Sequence, residues 1–112
     1  MGAQHIDSFC ASLAAANCVQ SFGPEHNVWK IGGKVFAIVN IPRGSVSFKC
    51  RDIGSAQMLI ESGVAYKAPY CHASWVMVVH GEMPDDELQA RLTASYTIMR
   101  NSLPKKVQAG LG

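Results

Sequence analysis

Apolar and polar residues alternate along the chain with two different periods, and the switches between them divide it into elements. Near the start, Ile6, Phe9, Cys10, Leu13, Ala14 and Asn17 recur at steps of three and four, which predicts one face of a first helix. Asp7 and Ser8 suit its first turn, where backbone N–H groups are unpaired and the helix dipole is positive. Cys18 to Phe22 predicts a short strand closed by Gly23-Pro24. The period then becomes two. Ile31-Gly32-Gly33-Lys34 places two glycines between extended runs, as a two-residue hairpin turn with φ > 0 at both central positions requires. With the turn there, Ile31 faces Lys34, Lys30 faces Val35 and Trp29 faces Phe36. Strict alternation puts Trp29, Ile31, Lys34, Phe36 and Ile38 on one face and Val28, Lys30, Val35, Ala37 and Val39 on the other. The bulkier set is the expected core, and the smaller aliphatic set is expected to be partly exposed.

Asn40 to Gly44 forms a loop, after which Val46, Phe48 and Cys50 alternate with Ser45, Ser47 and Lys49 in a half-buried strand. Asp52 is a good N-cap for a second helix with Ile53, Ala56, Leu59 and Ile60 on its apolar face and Gly63 as its stop. A loop through Tyr66, Pro69 and Tyr70, the last the aromatic expected to be most exposed, leads to a strand from Trp75 to His80. Pro84 opens a third helix, with Asp85, Asp86 and Glu87 at its positive end and Leu88, Leu92, Tyr96, Met99 and Leu103 along one stripe. Tyr96 is expected as a buried ring with a bonded hydroxyl. Pro104 ends that helix, and Lys105-Lys106 follow where cations suit a C-terminus. The order α-β-β-β-(β)-α-β-α, joined by hairpins, predicts an α+β fold: a single antiparallel β-sheet with three helices against one face, in two layers.

Composition narrows the class. A chain of 112 residues, 48% hydrophobic and 16% charged, is expected to be a single domain, 1–112, with a real core. No apolar run reaches membrane-spanning length, and the opening residues, without a positive stretch or a long apolar core, are not expected to act as a secretory signal. Cys10, Cys18, Cys50 and Cys71 form no CxxC pair and are expected as reduced thiols of a cytoplasmic protein. The net charge of +2 is mild, but its distribution is not uniform. Val28 to Arg51 holds five basic residues and no acidic one, while Glu82, Asp85, Asp86 and Glu87 cluster late. Lys30, Arg43, Lys49 and Arg51 are therefore the candidate phosphate contacts, and DNA or another nucleic acid is the candidate partner.

Catalytic and metal chemistry are not expected. Cys71 and His72 are adjacent in an extended segment and point to opposite sides, which separates a nucleophile from its base. Cys50, Cys71, His72 and His80 have no spacing that makes ligands converge. The reading is of a binding protein without cofactor or metal, with a protein-interaction module using the exposed aliphatic face (Val35, Ala37, Val39) as the alternative.

Several motifs occur together: VWKIGGKVFAIV, SFKC, PYCHASWV and PDDEL…SYTIMRNSLPKK. In this order and spacing they resemble the MmcQ/YjbR family of small bacterial proteins, from the first helix to Lys106. The resemblance implies a fold similar to type III secretion chaperones and frataxin-like proteins, and a DNA-binding role of the kind members are labelled with from fold similarity. Many members carry basic or histidine residues just before the strand tryptophan. Here Ala73-Ser74 precede Trp75, and the first helix, with only Asp7, lacks the acidic ridge that iron binding in the frataxin manner needs.

Overall fold

Among the described residues, six short strands form one antiparallel sheet in which the first four lie side by side in chain order, followed by the sixth and then the fifth. The computed structural model describes residues 2–69 and 71–111. In chain order the elements are α1 (Ala3–Ser12), β1 (Ala16–Val19), β2 (His26–Ile31), β3 (Lys34–Asn40) and β4 (Ser45–Lys49), then α2 (Ile53–Glu61), β5 (Tyr66–Lys67), β6 (Trp75–Val79), α3 (Asp85–Asn101) and α4 (Lys105–Gly110). The α+β sheet-and-helix architecture agrees with the sequence reading. The fourth helix is an addition: Lys105 and Lys106 open α4 behind Pro104 instead of trailing α3. Tyr70 lies outside the described residues.

The double glycine turns the β2–β3 hairpin as expected. Gly32 has φ +56° and Gly33 φ +85°, and Ile31↔Lys34 and Lys30↔Val35 are partners. Gly32→Val is expected to destabilise the protein by about 1–3 kcal/mol through backbone strain. A Cβ there would also stand 2.5 Å from Leu103 Cδ1, whereas one on Gly33 meets nothing within 4 Å. Urea midpoints should therefore rank Gly32→Val below Gly33→Val, and equal midpoints would remove Leu103 from the account.

Beyond those two pairs the register shifts. Trp29 pairs with Ala37, so Phe36 is an inserted residue, and the expected Trp29–Phe36 partnership is replaced. Phe36 and the following Ala37 both fall on the core face, and the alternation after them is inverted. Ala37 and Val39 are fully buried in the main cluster, while Ile38 moves to the opposite face. The exposed aliphatic face expected at Val35, Ala37 and Val39 is thus not formed, and the protein-interaction surface drawn on it is corrected.

Helices α1, α2 and α3 cover one face. Ile6 and Cys10 of α1, Ala56 and Leu59 of α2, and Leu88, Leu92 and Tyr96 of α3 share a single cluster with Trp29, Phe36, Val39, Phe48 and Val76. Asp7 does not serve a first turn. It sits mid-helix and accepts from Asn27 Nδ2 (2.9 Å) and Trp29 Nε1 (2.8 Å), which docks α1 on β2. Tyr96 donates to the Ala14 carbonyl at 2.6 Å, so the expected buried ring with a bonded hydroxyl is found. Asp52 accepts the Ser55 N–H at 2.7 Å, and this bond, with the neighbouring Arg51 guanidinium, holds its carboxyl below the usual range. All four cysteines are free thiols, and burial pushes Cys10 up to about 12.

Candidate functional site

The face opposite the three helices carries the polar strand residues, and the register arranges them in rows. Val28, Ile38, Ser47, Met77 and Tyr66 are successive partners across five strands. The next row toward the β3–β4 loop is His26, Asn40, Ser45 and Val79. Above these two rows lies a cleft of about 530 Å³. Its floor is His26, Ile38, Asn40, Ser45, Ser47 and Met77. Loops from three sides supply the rim: Phe22 after β1, Arg43 between β3 and β4, and Pro69 and Cys71 between β5 and β6.

The floor has a defined hydrogen-bond polarity. Asn40 Oδ1 accepts the Arg43 backbone N–H at 3.1 Å, and that donor fixes which end of the amide is oxygen. Asn40 Nδ2 is left facing His26 Nε2 at 3.4 Å, so in the neutral ring Nε2 accepts and Nδ1 bears the proton. That Nδ1 is buried and has no partner among the described residues. Ser45 and Ser47 are buried as residues, and neither hydroxyl bonds a described protein group. Burial raises the Cys71 thiol.

The four predicted cations are divided among three places. Lys30 and Lys49 lie on this same face on β2 and β4, two strand spacings or about 10 Å apart. Arg43 is at the opposite end of the sheet, on the rim of the cleft. Arg51 precedes α2, with its side chain 83% exposed and 3.3 Å from Asp52. Lys49 and Arg51 nevertheless line, with Arg91 of α3, one hollow of about 280 Å³ at the end of β4, although the Lys49 ammonium itself is held on the helix-free face by Ser74. Arg91, which pairs loosely with Glu87 at 3.4 Å, was not among the sequence candidates. Its helical spacing reads only as solvated surface.

The segment before Trp75 is also tied to Lys49. Lys49 Nζ donates to Ser74 Oγ at 2.7 Å, and Ser74 Oγ lies 2.8 Å from His72 Nδ1. The Ser74 N–H also donates to that nitrogen at 3.1 Å, so the ring nitrogen is an acceptor and the serine hydroxyl passes a chain of bonds from lysine to histidine. His72 therefore partners Ser74 and not the adjacent Cys71. Ser74 is 2% exposed, which suits a structural tie between the loop and β4.

A family model described as YjbR matches residues 11–98. The chain belongs to the YjbR family. Two solved structures share this YjbR fold. A Deinococcus radiodurans protein with a DUF419 domain superposes with TM-score 0.88 at 21% identity, over 99% of this chain and 88% of its own. A Pseudomonas syringae protein superposes with TM-score 0.75 at 14% identity, over 88% of this chain and 99% of its own. No curated protein matches the YjbR chain in sequence. No helix among its described residues is long and apolar enough to cross a membrane.

Proposed function

We propose that this YjbR protein is a non-catalytic binding protein that holds nucleic acid by its phosphates. What carries the reading is the hollow at the end of β4, lined by Lys49, Arg51 and Arg91 from a strand, a turn and a helix, with the Lys49 ammonium on the adjoining sheet face beside Ser74. Lys30 extends the positive surface on the adjoining sheet face, and Arg43 lies beyond at the far end. Two arginines at one concavity, with the Lys49 and Lys30 ammonium groups on the neighbouring face, suit a ligand with several anionic groups better than a single counter-ion. The free thiols fit a cytoplasmic setting.

The test is salt-dependent retention of duplex and single-stranded DNA. With about three phosphates neutralised, affinity for duplex should fall with salt at a log–log slope of about −3. Arg51→Glu, at an exposed position, should weaken binding to all sequences alike and leave the melting temperature nearly unchanged, because phosphate contacts carry no sequence information. Absence of any retardation at about 20 mM salt, where electrostatic binding is strongest, overturns the reading.

A further inference from the structure

We propose that the cleft on the helix-free face binds a small carboxylic acid with a compact apolar body. The site is separate from the phosphate hollow, and the proposal does not rest on nucleic-acid binding. Three observations converge on this ligand class. The cleft, at about 530 Å³, is within the range of small-molecule pockets and is formed by strands already in place. Ile38, Met77 and Phe22 give it apolar walls, and Phe22 stays 61% exposed, which is unusual for an aromatic with nothing to cover. Donors are left without partners among the described residues: the Ser45 and Ser47 hydroxyls, which can also accept, and the Arg43 guanidinium, with His26 Nδ1–H buried beneath them.

No carboxylate lines the cleft among the described residues, and Arg43 has no ion-pair partner among them. A set of donors with one cation and no acid selects an acceptor-rich head bearing one negative charge. A guanidinium matches a planar carboxylate with two parallel hydrogen bonds. The walls leave room for an apolar body, while a second charge on the ligand would meet no partner and would be desolvated at a cost. The carboxylate accordingly lies at the Arg43 end, above Ser45, with the body running toward Met77.

The probe is 2-naphthoate, with its neutral isostere 2-naphthamide, each titrated into the full chain and followed by backbone amide shifts. The expected result is saturable shifts at Ser45, Ser47 and Met77, with the amide binding about tenfold more weakly, as loss of one charge-assisted pair implies. Arg43→Gln, on an exposed loop, should abolish the preference for the acid. Bound 2-naphthoate should also slow alkylation of Cys71 while leaving that of the exposed Cys18 unchanged. Arg51→Glu should reduce DNA retention without altering 2-naphthoate affinity, so each reading fails or stands on its own variant. Any of four results overturns the proposal: no saturable shift, shifts confined to the helix side, equal affinity for acid and amide, or a preference that survives in Arg43→Gln.

Discussion

Phe36→Ala is expected to lower the stability of the fold by about 3–5 kcal/mol, the usual range for removing a fully buried aromatic ring from a packed core. Phe36 is 0% exposed and meets Tyr96 edge-on, with ring centroids 5.5 Å apart and planes at 84°. Truncation removes its own buried area and that aromatic pair, which contributes about 0.5–1.5 kcal/mol beyond area alone. The surroundings have little freedom to close the gap. Phe36 is the inserted residue of β3, held between the hairpin pairs on one side and Ala37↔Phe48 on the other. Against a typical total of about 5–15 kcal/mol the loss is large. Urea unfolding should show a much lower midpoint with an unchanged slope. A loss below about 1 kcal/mol would mean that the strands collapse onto the vacated space.

That residue also marks where sequence reasoning stops. The hairpin turn was legible because Gly32 and Gly33 specify it locally, and the helices were legible because each has its own period and punctuation. The inserted residue was not. Nothing within β3 says that alternation breaks after Phe36. The break depends on Tyr96 and Ser95, which lie far along the chain on α3. Its consequence is nonlocal too: Ala37 and Val39 turn into the core and Ile38 turns out to floor the cleft. The candidate site divides in the same way. Lys30, Arg43, Lys49 and Arg51 could be found by counting charges. Arg91 joins Lys49 and Arg51 only through the docking of α3. The serines of β4 read as a plain outer face, and no local signal connects them to His26 and Asn40. Those four residues converge only once the register of three strands is known. The family motifs carried the fold across this gap, but not the location of the cleft.

Ser95→Ala is expected to cost about 2–4 kcal/mol, although it removes one oxygen from a helix. Ser95 is 0% exposed, and its hydroxyl donates to the Phe36 carbonyl at 2.7 Å and accepts the Lys49 N–H at 3.0 Å. Continuing the β3–β4 register past Ala37↔Phe48 would pair Phe36 with Lys49. The hydroxyl therefore occupies the place where the next ladder bonds would be, in an opening that the inserted residue creates. Alanine leaves a backbone donor and a backbone acceptor unsatisfied, each costing about 1–3 kcal/mol when buried without a partner. Lost stability alone would not separate this bridge from ordinary packing, so the informative measurement is local. The Lys49 amide should exchange with solvent much faster relative to its β4 neighbours in Ser95→Ala than in the wild type. If Lys49 keeps its protection and the melting midpoint hardly moves, the strands have closed the ladder without the serine and the bridge is dispensable. If both change, the hydroxyl of α3 is what joins β3 to β4 at this end. Lys49, the strand's contribution to the phosphate hollow, then owes its backbone position to a serine on the helix that also carries Arg91.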